Sequence, residues 1–311
     1  MSKRRETMQS TDAAGRRSFL QSAALSGAAL GGAALGGAAL GAGGLVAPRS
    51  AHAQAPAGED VLQRVIKNKQ LNVAVVIYPP LTIKQGSELS GTFVEAAKWL
   101  AKQMDVTPSF VEAEFGTFIA AIQSGRADIA LAGSYATVPR ALAVDFTKNV
   151  MWFGISALVR KADEKKWKTI EDADQAGVRF IQAEGTAIHK QLGQILKKAK
   201  LTATAPGTQS TNMALEVLSN RADVYVEDDW LIKKNVEQHK GRLIEMTAYA
   251  EKPWNLSAVS WAVAKGQSSM LNVLNVAIDR LTDNNMFQQW DEKYGAHWAY
   301  KKESFYQSTK G

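Results

Sequence analysis

From about residue 60 onward, short β-branched apolar runs alternate with longer stretches whose apolar residues recur every three or four positions. The first pattern predicts buried strands, the second amphipathic helices. Gly58, Glu59 and Asp60 open a helix over VLQRVIKNK, with acids at its positive end. LNVAVV at 71–76 predicts a buried strand, which Tyr78-Pro79-Pro80-Leu81 breaks into a loop, and 85–90 reads as a polar turn. Thr92 is the expected N-cap of a helix reaching Met104, with Phe93, Ala96, Ala97 and Leu100 on one face. A strand through 109–111 leads to Phe115 and to a helix over 117–124.

The second half repeats the alternation. FGISALVR at 153–160 reads as a strand and 161–168 as a charged linker. VRFIQ, a helix from Gly185, LTATA and a helix over 211–219 follow, then VYVE and a helix over 230–238. LIEMT and SAVSWAVA (257–264) are further strands, and helices over 268–283 and 286–294 close the pattern. Such alternation predicts α/β sheets. One unit occurs twice, as QSGRADIALA at 123–132 and LSNRADVYVE at 218–227. In each, a helical run stops at Gly125 or Asn220, residues that tolerate the left-handed conformation. Arg-Ala-Asp and a buried strand come next. The carboxyl ends of these strands fall near Gly133 and Asp228, where ligands of open α/β sheets sit. The first copy continues to Arg140, so one half offers a cation and the other an anion, a pairing suited to a small zwitterion. A chance likeness between two helix–turn–strand units remains open at this point.

The 311 residues, 46% hydrophobic, allow two domains with real cores. The net charge of +7 overstates the basic character, because residues 1–53 hold six Lys/Arg and two acids, leaving 31 basic against 28 acidic residues. No dense Lys/Arg run follows, so nucleic acid is not an expected partner. The lack of cysteine excludes a disulfide, a thiolate nucleophile and a zinc–thiolate site, and the four histidines show no metal-ligand spacing. No metal site and no cofactor are expected. GRRSFLQ at 15–21, the Ala/Gly/Leu run behind it and Ala51-His52-Ala53 resemble a twin-arginine export signal, with cleavage expected after Ala53 and a periplasmic location. An uncleaved anchor is the alternative, since the run is long enough to span a membrane. Its glycines and the Ala-x-Ala end weigh against that.

Several short motifs share one order and spacing: LNVAVV with Pro-Pro, then Phe115-x-x-Phe-Ile-x-x-Ile-Gln-Ser-Gly-Arg-Ala-Asp. Thr137-x-x-Arg140 before Asp145-Phe146-Thr147, Gly185-Thr186, the 221–228 block and Lys293-Tyr294-Gly295 continue the series. Together, over about 71–295, they resemble family 3 of the bacterial extracellular solute-binding proteins, the polar amino-acid-binding type. The resemblance implies an α/β, two-lobed periplasmic-binding-protein type II fold whose lobes are joined by two crossover strands. Lobe 1 would comprise 54–153 plus 257–311, and lobe 2 154–256. The implied role is the binding component of an ABC uptake system, a monomer that closes over a small molecule and meets a permease in the inner membrane.

By the same resemblance, Arg140 grips the ligand carboxylate, since a planar guanidinium offers two parallel donors, and Asp228 accepts from its ammonium. Gly185 and Thr186 open a helix whose free N–H groups take the second carboxylate oxygen. Phe115 packs on the ligand side chain, Tyr78 and Leu81 line the opposite wall, and Thr137 belongs to the carboxylate loop. Tyr135 stands where the family often has Ser or Thr, Gly133 replaces another small hydroxyl residue, and Ala187 sits where a hydroxyl is common. Glu227 and Asp229 read equally well as a solvated acidic helix start, and the facing of Trp254 is left open. Two rivals share the fold. One is a periplasmic dehydratase acting on prephenate or arogenate, with Glu184 or Glu227 as acid. The other is the ligand-binding subunit of a sensor.

Overall fold

The computed structural model describes residues 60–295; the twin-arginine pair, the Ala/Gly run and the expected cleavage point lie outside them. Asp60 caps α1 (Val61–Asn68), its carboxylate accepting from the Gln63 N–H at 3.1 Å. β1 (Gln70–Val76) follows, then a hairpin of β2 (Ile83–Gln85) and β3 (Glu88–Ser90) where the sequence reads only as a turn. α2 (Thr92–Gln103) is capped by Gly91 rather than Thr92. Thr92 lies inside the first turn, and its buried hydroxyl donates instead to Asp291 at 2.6 Å. β4 (Thr107–Ala113), α3 (Phe118–Gln123), β5 (Ile129–Ala130) and α4 (Val138–Ala141) complete the first half.

β6 (Val144–Arg160) is twice as long as its apolar core at 153–160 predicts, because the stretch before it, in which polar and apolar residues are mixed, is also in the sheet. Then come β7 (Arg179–Ala183), α5 (Ala187–Ile195), β8 (Lys200–Thr204), α6 (Ser210–Leu218), β9 (Val224–Asp228), α7 (Asp229–Gln238) and β10 (Leu243–Glu245). β11 (Asn255–Ala264), α8 (Ser268–Asp283) and α9 (Met286–Tyr294) end the described chain.

The strands run in the order β4-β1-β5-β11-β6-β9-β7-β8, with β10 on β6. β4-β1-β5 and β9-β7-β8 are parallel triplets, and the antiparallel pair β11 and β6 joins them. β6 thus belongs to both halves. Its start, Val144–Phe146, pairs with Ala264–Ala262 of β11 next to the first triplet. Its later residues Ile155–Leu158 pair with Asp228–Tyr225 of the second. The two crossover segments face one another, with Asn255 opposite Ile155 and Ser257 opposite Phe153. Val73, Ala74, Val75 and Leu71 are fully buried, as a strand covered on both faces requires.

The repeated Arg-Ala-Asp unit proves to be one device used twice. Gly125 and Asn220 both take the left-handed conformation, at φ 71° and 60°. Asp128 accepts from the Asn72 N–H at 2.7 Å and from Arg64 at 2.6 Å, while its own N–H donates to the Asn72 carbonyl. Asp223 does the same to Arg179, whose N–H donates at 2.9 Å and whose guanidinium adds two bonds, with Arg160 donating a further one at 2.7 Å. Each aspartate therefore pins its strand to the start of the central strand of its own triplet. Burial pushes the Asp223 carboxyl up, but donation from Arg179 and Arg160 outweighs it and holds it down at about 2.

Candidate functional site

The parallel triplets aim their carboxyl ends at one another. Tyr78 follows β1, Phe115 follows β4, and Gly133 and Tyr135 follow β5; from the other side, Gly185 and Thr186 follow β7, while Glu227 and Asp228 end β9. These are the ends at which open α/β sheets place ligands.

Asp228 is the centre of the contact. It is 2% exposed, and hydroxyls from the opposite half occupy both its oxygens: Tyr78 donates to Oδ2 at 2.6 Å and Tyr135 donates to Oδ1. The Glu227 carboxylate accepts from the Asp228 N–H at 3.0 Å and from Tyr225 at 3.0 Å, with Tyr78 at 3.5 Å. Burial and then the neighbouring Glu227 charge raise the Asp228 carboxyl well above its ordinary range, against the lowering effect of the two tyrosines. Burial raises Glu227 as well. Burial and these carboxylates push all three phenols up.

Arg140 stands on α4 with 5% of its surface exposed. It donates to the carbonyls of Tyr135 at 3.2 Å, Phe115 at 3.1 Å and, across the cleft, Gly185 at 3.4 Å. Its guanidinium also lies 5.3 Å from the centre of the Phe118 ring. Among the described residues no carboxylate pairs with it, and burial lowers its pKa to about 10. A charge held in this way is poised for an incoming anion.

A cavity of ≈ 40 Å³ lies between these groups, lined by Tyr78, Phe115, Gly133, Tyr135, Arg140, Thr186, Ala187, Ile188, Glu227 and Asp228. It opens beside a larger one of ≈ 60 Å³, which shares Tyr78, Phe115, Thr186 and Glu227 and adds Glu114, Glu184 and the 207–210 loop. Seven of the nine expected ligand residues therefore meet in one place. The other two do not line it. Gly185 presents its carbonyl to Arg140, and Thr137 serves as the N-cap residue of α4, its side chain making no capping bond. The Thr186 hydroxyl is occupied as the cap of α5, accepting from the His189 N–H at 3.0 Å.

Other expectations are corrected. Leu81 is core, 1% exposed beneath Gly133, and does not line the wall. Trp254, whose facing the sequence leaves open, turns from the cleft to Glu171, donating at 3.0 Å. Glu227 and Asp229 are not a solvated helix start, being 8% and 5% exposed. Asp228 is itself the N-cap residue of α7, which brings Glu227 into the cavity beside it. Ile188 and the 207–210 loop carried no residue signal, though the loop follows the carboxyl end of β8, the place such ligand residues come from.

Two α/β lobes joined by two crossover strands, with a polar cleft at the facing strand ends, define a type II periplasmic binding fold. The chain belongs to the bacterial extracellular solute-binding proteins, family 3, whose pattern matches residues 71–297. It is 27% identical over 231 residues to the L-arginine-binding protein of Pseudomonas aeruginosa, covering 70% of this chain and 84% of that one. It is 24% identical over 222 residues to a probable histidine-binding protein of Campylobacter jejuni, covering 70% and 81%. Among solved structures, the ancestral amino acid-binding protein AncCDT-1, a precursor of cyclohexadienyl dehydratase, superposes with a TM-score of 0.66 at 26% identity, covering 75% and 98%.

Proposed function

We propose that this chain is the periplasmic binding component of an ABC uptake system, exported by its twin-arginine signal and working as a monomer. It holds a small zwitterion, an amino acid, between lobes 54–153 plus 257–311 and 154–256. The observation that carries the reading is Arg140: a buried guanidinium with no carboxylate partner among the described residues, sharing a cavity with Asp228 from the opposite half. Relatives named for binding arginine and histidine support the amino-acid class.

The ligand carboxylate takes the Arg140 fork, and the ammonium lies against Asp228. Tyr78 and Tyr135 do not block that contact, because a phenol oxygen that donates to Asp228 keeps lone pairs able to accept from an ammonium. Closure about the facing pairs Phe153–Ser257 and Ile155–Asn255 removes these charges from water and strengthens their attraction. The closed form is what the permease recognises.

The test is thermal denaturation of the purified protein, unfolded and refolded to strip carried ligand, against amino acids, their amides and small dicarboxylates. Ligand at about 100 times Kd adds about 2.7 kcal/mol, or roughly 5–11 °C for a chain of this size. A shift from amino acids that Arg140→Met removes is the expected result; no shift from any zwitterion rejects the reading. Prephenate and arogenate belong in the same panel, since burial raises the Glu227 carboxyl as a general acid requires. Turnover lost in Glu227→Gln would replace binding by dehydration.

A further inference from the structure

The larger cavity has a charge imbalance that the zwitterion does not resolve. Arg140 and Asp228 are matched by the ligand carboxylate and ammonium. The ≈ 60 Å³ space beside them is lined by three further acids, Glu114, Glu184 and Glu227, and by no lysine, arginine or histidine. Glu227 is 8% exposed and shared with the smaller cavity. Glu114 reaches it from the other lobe: its carboxylate lies where a Cβ on Gly207 would come within 2.8 Å of either oxygen. A side chain at 207 would therefore displace that carboxylate from the cavity rim.

A second, independent feature is the wall. Tyr78 and Phe115 line both cavities with their rings edge to face, centroids 5.4 Å apart. Aromatic faces opposite carboxylates recognise a cation on an apolar stem: the rings pack the methylenes and attract the charge, and the acids accept its hydrogen bonds. A volume of ≈ 60 Å³ holds about four to six water-sized atoms, enough for a four- or five-atom stem with a charged end.

Resting on the reading that the cleft holds an amino acid, we infer that the ligand is one whose side chain ends in an ammonium or guanidinium. Arg140 and Asp228 hold its α-groups, and Glu114, Glu184 and Glu227 surround its terminal cation.

The experiment is calorimetric titration of the stripped protein with matched pairs: L-arginine against L-citrulline, and L-lysine against L-norleucine. The cationic member of each pair should bind at least about 10-fold more tightly. The double substitution Glu114→Gln with Glu184→Gln should reduce that ratio at least about 5-fold. Since Glu184 is exposed, the double variant is expected to fold, and its melting temperature verifies this. Equal affinity for the members of each pair overturns this inference while leaving amino-acid binding intact. Silence from every amino acid overturns both.

Discussion

Arg140→Met separates a binding role from a structural one, because the two predict opposite outcomes in the empty protein. Methionine matches the length of the stem, fills the space against Phe118 and removes the charge. Burial has lowered the guanidinium to about 10. At about 1.4 kcal/mol per pK unit, holding the charge there costs about 3 kcal/mol. Against this stand three bonds to carbonyls at 3.1–3.4 Å, each contributing about 1 kcal/mol net. The two nearly cancel. The stripped variant should therefore melt within about 4 °C of the wild type. Bound ligand reverses the balance, since the variant loses two parallel charge-assisted bonds, about 3–4 kcal/mol or roughly a 10²–10³-fold weaker Kd. The assay is thermal denaturation at fixed ligand, with and without the substitution. A fall above about 8 °C in the stripped protein, or a ligand shift that survives, would refute the reasoning.

Three further outcomes follow from the geometry. The native Asp228 carboxyl sits above its ordinary range, so it contributes stability below about pH 4 that is lost as pH rises through the native value. Melting curves of stripped protein should decline as pH rises above about 4, and Asp228→Asn should flatten that slope; parallel profiles would exclude this. Asp128→Asn and Asp223→Asn should each lose about 2–4 kcal/mol in urea unfolding, and a change below about 0.5 kcal/mol would refute the pinning role. With its native pKa at about 2, the Asp223 contribution is complete above about pH 4 and disappears as pH falls from 4 toward 2. Gly185→Ala adds a Cβ that meets Gly116 Cα at 2.9 Å across the cleft, at a φ of 81°. It should weaken ligand at least about 10-fold by opposing closure and cost about 1–2 kcal/mol in the empty protein; calorimetry showing Kd within twofold would reject it.

Local chemistry made much of this molecule legible. The left-handed stops at Gly125 and Asn220 and the strands behind them follow from residue type and period alone. The length of β6 did not, because its first half mixes polar with apolar residues and lies partly exposed against β11, so no continuous apolar run marks it. The hairpin of β2 and β3 was hidden for a similar reason: three-residue strands carry too few alternations to show a period. Thr92 was misplaced by one residue because its hydroxyl has a partner on α9, distant in the chain.

At the cleft the division is sharper. Asp228 could be located from the sequence because it ends an Arg-Ala-Asp strand, where α/β sheets hold ligands, and Arg140 because it follows the first such strand in a motif that resembles the family's. The charge state of both, the approach of two tyrosines to one carboxylate and the burial of Glu227 were decided only when the halves met. Local sequence sets backbone conformation and the strand on which a side chain stands. Desolvation and contacts between groups some 93 or 150 residues apart depend on the packing of the whole chain, and no periodicity encodes them.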